Sequence, residues 1–215
     1  YSKGKTFPGM ILWSGDPIVP IVLPGDYQVR LTVGDVTRTA PLKILKNPRG
    51  TVTLEDLETQ HRFLMDVRAK LDETHDAIRQ VRDVRGQLDG LKKRIEDLEA
   101  EEEHVKLLDA AKALDEKMTK VEEALYQTKN RSPQDPLNFP VRLNDKLNAL
   151  AASVGGFGDA RPTDQAVQVK DELTRAIDAE LAKLAQIFAS DLPALNELAR
   201  TEGVATVILS PSRLK

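Results

Sequence analysis

The chain has 215 residues, enough for one large or two small domains, and is 40% hydrophobic, 30% charged and only 4% aromatic. That mixture suits long amphipathic helices better than a thick globular core. The net charge of −3 with both signs intermixed sets up no field for nucleic acid or an anionic membrane, and the lack of cysteine excludes disulfides, thiolate nucleophiles and zinc–thiolate sites.

The chain opens at Tyr1 without an initiator Met, so a piece of a longer polypeptide is expected. Residues 1–48 read as β. Met10 to Trp13 is a candidate short strand. The apolar run Ile18 to Leu23 is broken by Pro20, and no run reaches the ~20 residues of a membrane span. Leu23-Pro24-Gly25-Asp26 fits a type II turn with Gly25 supplying the positive φ. Tyr27, Val29, Leu31 and Val33 alternate with polar residues, the period of a half-buried strand. Gly34-Asp35 signals a tight turn. Val36 to Ile44 follow, with Ala40, Leu42 and Ile44 on one face. Three or four strands are too few to close a β-sandwich. Further strands are expected upstream, unless the sheet leans on the helices.

Asn47-Pro48-Arg49-Gly50 reads as the linker, and residues 49–215 read as a helical bundle. Thr53 is the expected N-cap of a first helix over 54 to about 99, with Asp56 as capping-box partner. Leu57, Leu64, Leu71 and Ile78 stand seven apart, and Val67, Val81, Leu88, Leu91, Ile95 and Leu98 extend the stripe. The phase slips beside Gly86 and Gly90, where a kink or local unwinding is expected. Part of this long stripe is expected to project and to need another surface. Glu101-Glu102-Glu103 suits the turn before a second helix over 104–128. That helix has Leu107, Ala111, Leu114, Met118, Val121 and Leu125 in steps of four and three. Asn130 to Pro140 is a proline-rich loop. Its structural reading makes Asn138 a cap and Phe139 a plug; its functional reading is recognition. Leu143, Leu147, Leu150 and Val154 mark a third helix, ended by Gly155-Gly156-Phe157-Gly158. Thr163 caps a fourth, with the stripe Val169, Leu173, Ile177, Leu181, Leu184 and Phe188. Asp191-Leu192-Pro193 kinks or restarts it. Val204 to Leu209 is a short strand or an extended tail. Such helices with short connections imply an antiparallel bundle.

Catalytic signals are sparse. His61 and His75 lie 14 residues apart on one helix, roughly 21 Å, too far to share an ion, and His104 has no obvious partner. The carboxylates of Glu55 to Asp72 and Glu96 to Glu103 read as solvated faces with i,i+4 pairing. No phosphate loop, dinucleotide fingerprint or nucleophile elbow occurs. Asn130-Arg131-Ser132 is a formal glycosylation sequon.

Phe7-Pro8-Gly9-Met10-Ile11-Leu12-Trp13, Leu23 to Val33, Ser132 to Leu147 and the segment from Pro162 resemble the C-terminal region of large bacterial sortilin-like, BNR (Asp-box) β-propeller proteins. These are often labelled glycosyl hydrolases or sialidase-like. The resemblance spans nearly the whole chain. It implies upstream propeller domains, an Ig-like or fibronectin-like β domain completed by residues 1–48, and export to the periplasm or outside the cell. The Asp-box repeats belong to the propellers and match no position here.

The expectation is therefore an α+β, mainly α fold. A partial Ig-like or fibronectin-like β segment precedes an antiparallel helical bundle with long coiled-coil-like helices. The expected role is a non-catalytic accessory region. Its partners are the upstream propeller domains of the same chain, a separate protein or a second copy, with no nucleic acid and no transmembrane segment. No catalytic, cofactor-binding or metal-ligating residue is assigned, and no cofactor is expected. The rivals are part of a glycan-processing enzyme and a homo-oligomerising coiled-coil scaffold.

Overall fold

A computed structural model describes residues 3–156 and 158–209. Tyr1 and Phe157 lie outside the described residues. The fold is α+β and mainly α: an antiparallel hairpin of β1 (Gly25–Val33) and β2 (Val36–Ile44), then α1 (Leu54–Asp97), α2 (Val105–Leu125), α3 (Leu143–Gly155), α4 (Asp164–Gln186) and α5 (Leu192–Thr201).

The start of α1 follows from its cap. Thr53 Oγ1 accepts from the Asp56 backbone N–H at 3.1 Å, and Asp56 Oδ2 accepts from Thr53 N–H at 3.2 Å. This reciprocal pair satisfies two donors that the first turn would leave bare. The helix runs unbroken past Gly86 and Gly90, so no unwinding occurs there. Val84, Leu88 and Leu91 flank the glycines and are buried, and their packing overrides the poor propensity. At its far end Glu99 takes φ +50°, with Ala100 N–H bonded to Ile95 C=O at 3.1 Å and Glu99 N–H to Glu96 C=O at 3.0 Å. That is a Schellman ending with glutamate where glycine is favoured.

The helices form three rods around one core. The first rod is α1, whose 44 residues span ~66 Å. The second is broken: α2 runs antiparallel to the C-terminal half of α1, and α3 continues in the same sense along its N-terminal half. Arg82 reaches Glu122, His75 reaches Asn144, and Gln60 reaches the Val154 carbonyl. The third rod, α4 and α5, returns parallel to α1, with Lys70 bonded to Asp178 at 2.5 Å. Between α4 and α5 lies one π turn, Ile187–Asp191, with Leu192 N–H donating to Ile187 C=O. The widened turn makes room for Pro193, which lacks an N–H and would press on the preceding turn. Rods two and three therefore bury their stripes against α1.

The stripe of α1 is covered within the chain from Leu57 to Ile95, so it does not project; only Leu98, beyond the last turn, is exposed. Every stripe residue of α2 is buried. In α4 only Ile177 and Leu184 are fully buried, and Val169 is exposed. The segment 204–209 belongs to no helix or strand. Asn196 clamps it by exchanging two bonds with the Val207 backbone, at 2.7 and 2.8 Å. Gln87 does the same for Ile208, at 2.7 and 2.8 Å.

Two β expectations are corrected. Met10 to Trp13 is not a strand. Phe7-Pro8-Gly9-Met10 is a type II turn, with Gly9 at φ +73° and Met10 N–H bonded to Phe7 C=O at 3.1 Å. Gly25 has no positive φ and begins β1 instead of sitting in a turn. The Tyr27 ring lies against Gly25, and its hydroxyl donates to Leu23 C=O at 2.6 Å. The strands are also not half-buried, as described below.

Candidate functional site

Two regions carry more chemistry than a plain bundle needs: a strap over the broken rod and the hairpin that stands off it.

The strap is residues 3–15. Between the end of α2 and the start of α3, the second rod leaves a gap beside α1, and Phe7 fills it. Its ring meets His75 at 5.3 Å and Tyr126 at 4.9 Å, both edge-on, with the Arg82 guanidinium 4.6 Å above it. Side chains then hold the strap by its backbone. Arg82 donates to Pro8 C=O at 2.8 Å, Arg79 to Thr6 C=O, and Tyr126 to Gly9 C=O at 3.2 Å. Lys5 N–H donates to Asp72 at 2.6 Å, and Lys5 Nζ pairs with Asp76. Asp145, on the first turn of α3, accepts from the backbone N–H of Trp13 at 2.8 Å and of Ser14 at 3.1 Å. Asn148, one turn on, donates to Ser14 Oγ and Gly15 C=O.

Within this seam His75 is fully buried. Its Nδ1 lies 2.6 Å from Lys5 C=O, which can only accept, so Nδ1 carries the proton and Nε2 accepts from Asn144 Nδ2 at 3.3 Å. Burial lowers its pKa from the ordinary 6.5, against the opposing pull of the Lys5 carbonyl and Asp72. The side-chain amide oxygens of Asn130, Asn144 and Asn148 are buried and accept no hydrogen bond among the described residues. Glu122 of α2 is almost completely buried and receives Arg82 and Arg85 from further along α1, each at 2.7 Å. Burial works against the Arg85 charge, but the bonds to Glu122 and Asp115 outweigh it and hold its pKa above the ordinary value. These groups are locked to one another, which is the arrangement of structural polar seams.

The remaining sequence candidates fall out as follows. His61 Nδ1 bonds the Ile21 carbonyl at 3.0 Å. His104 does have a partner: its Nδ1 lies 2.7 Å from Glu202. Asn130 of the sequon is buried, so its amide is not offered to solvent. In the proline-rich loop the organiser is Asp135. Its carboxylate caps the backbone N–H groups of Arg131 and Ser132, and those bonds lower its pKa. Asn138 only closes the short turn through its backbone, and Phe139 is half-buried under Lys129 instead of plugging the bundle. Among the described residues no group of three metal-ligating side chains converges, and no helix is long and apolar enough to cross a membrane.

The hairpin packs its backbone against no helix. Tyr27, Val29, Leu31 and Val33 stand opposite Leu42, Ala40, Arg38 and Val36, so one face gathers nearly all the apolar side chains. That face is open: Val29 is 50% exposed, Leu31 64%, Val33 68% and Val36 61%. The other face pairs Asp26 with Lys43, Arg30 with Thr39, and Thr32 with Thr37. At the base of the hairpin a cleft of about 370 Å³ opens between Ile44, Leu45, the 18–24 segment and the start of α1. Ile44 belongs to the apolar face, so face and cleft are continuous.

Compared with known proteins, the chain matches no family model, no curated protein and no solved structure at a significant level.

Proposed function

We propose that this chain is a non-catalytic accessory region of a larger protein, whose work is to hold a β hairpin out for protein–protein assembly. In the sortilin-like proteins that it resembles, the partner would be the upstream propeller part of the same polypeptide, outside the cytoplasm. The observation that carries the reading is the open apolar face of Val29, Leu31, Val33 and Val36. Nine-residue strands with one apolar face are unstable as an isolated pair in water and gain most by burial against another surface. The seam of α1 is already covered within the chain, which is why the assembly surface is assigned to the hairpin and not to a helix.

Hydroxyl-radical footprinting tests this. In the isolated 215-residue chain, Val29, Leu31 and Val36 should label rapidly, as exposed side chains do. In the native polypeptide, as the cell makes it, labelling of the same residues should fall while exposed Leu98 is unchanged. Equal labelling in both removes the assembly role.

A further inference from the structure

We propose that the outer edge of β1 receives a strand from a partner β domain, and that the facing layer of that domain lays an apolar surface with one carboxylate over the hairpin face. The proposal rests on the assembly reading above and names the partner's chemistry.

The edge follows from the turn. Gly34 has φ +56° and Asp35 has no positive φ, the pattern of a type II′ turn. A two-residue turn makes Val33 and Val36 a hydrogen-bonded pair, and pairs alternate from there. Asp26, Gln28, Arg30 and Thr32 on β1 therefore point their backbone N–H and C=O groups away from β2. Thr37, Thr39, Pro41 and Lys43 do the same on the other edge. Pro41 has no N–H to offer, so the β2 edge is broken in its middle, a common way to blunt an edge strand. β1 contains no proline. Among the described residues no hydrogen bond reaches the outward backbone groups of Gln28, Arg30 or Thr32.

The occupant follows from charge and size. Arg38 is the single charged residue on the apolar face and forms no ion pair among the described residues. Two copies laid face to face would bury two guanidinium groups with no carboxylate between them, a costly arrangement. The face is also too small for a dimer. A strand length of ~30 Å and a two-strand width of ~10 Å give ~300 Å², against ~800 Å² per partner in a stable interface. An added strand on β1 supplies main-chain bonds as well, and it continues the hairpin into a sheet of three or more strands. The layer that stacks on the face then places an Asp or Glu opposite Arg38.

The test is hydrogen exchange on the native polypeptide, with Arg30→Pro and Thr39→Pro as matched variants. Arg30 and Thr39 face each other on a pair that exchanges no backbone bonds, so either proline keeps the hairpin ladder. Retained protection of the inward Val29 and Leu31 amides confirms that in each variant. In the unsubstituted protein the outward Gln28 and Thr32 amides should exchange more than about tenfold slower than outward Thr37 and Thr39. Arg30→Pro should abolish that protection, and Thr39→Pro should leave it. Protection on the β2 edge, on neither edge, or equal loss in both variants overturns the proposal. So does protection that disappears on dilution together with a dimer mass in sedimentation, because the occupant is then a second copy. A face that is covered in footprinting beside a β1 edge that exchanges freely sinks the added strand but leaves the assembly role. Face and edge both open sink both.

Discussion

His75 links one proton to the hold of the strap. Folding buries the imidazole in its neutral form, and its pKa falls below the 6.5 of an exposed histidine. Between those two values the unfolded chain binds a proton that the folded chain refuses. Stability is therefore complete above about pH 6.5 and declines as the pH falls through 6.5 towards the folded pKa. His75→Gln removes the titration and retains an amide that can donate to Lys5 C=O. Thermal unfolding at about pH 7.5 and about pH 5.5 should show a larger loss of Tm in the unsubstituted protein than in the variant. Equal losses would mean that His75 does not sense pH. Glu99 makes a second case at this scale. A side chain at φ +50° carries a Cβ clash of ~1 kcal/mol that glycine lacks. Glu99→Gly should raise the unfolding free energy by about that much, read as a higher urea midpoint with the m-value unchanged. An unchanged midpoint would mean that the Schellman ending is not strained.

At the scale of elements, α1 shows how packing and propensity divide the work. A Cβ on Gly86 meets no atom within 4 Å, and one on Gly90 meets only the Arg94 guanidinium at 3.8 Å. Neither glycine is required by space or by φ. Gly86→Ala should therefore stabilise the protein by about 0.5–1 kcal/mol, read from chemical denaturation. A loss of stability would show that the helix uses the glycine as a flexible joint. The helices themselves were legible because their signals are local. Thr53 and Asp56 sit three residues apart, and the stripes repeat every three or four. The hairpin was legible for the same reason, through its alternation and Gly34. Its exposure was not, because alternation reports that a face is apolar and not whether anything covers it. Within the strap, Met10 to Trp13 reads as a strand by its apolar run, but its bonds run from side chains to backbone. Asp145 reaches Trp13 across 132 positions, and no period records such a contact. Glu122 was hidden for a related reason: a carboxylate among charged neighbours looks solvated until two arginines from another helix close on it.

The whole molecule is a rod bundle with a hole that another part of the chain must fill. The hole is a consequence of covering one 44-residue helix with two shorter ones that meet midway. Phe7 closes it, and the strap's backbone bonds to α1, to Tyr126 at the end of α2 and to α3 tie the three elements at that point. The hairpin stands outside this network, since its strands pack on no helix. Stability and assembly should therefore separate. Phe7→Ala removes a buried ring and should cost ~3–5 kcal/mol, by the size of such truncations. The amides of Lys5, Ile11 and Trp13, each bonded to a different helix or its end, should lose their exchange protection together. The ladder amides Val29 and Leu31 should exchange as before while the bundle is folded. Independent loss at the three strap amides would mean that the strap is a set of separate contacts and not one cooperative unit. Coupled loss at Val29 and Leu31 would mean that the hairpin depends on the bundle, and that a partner gripping it would stabilise the core as well.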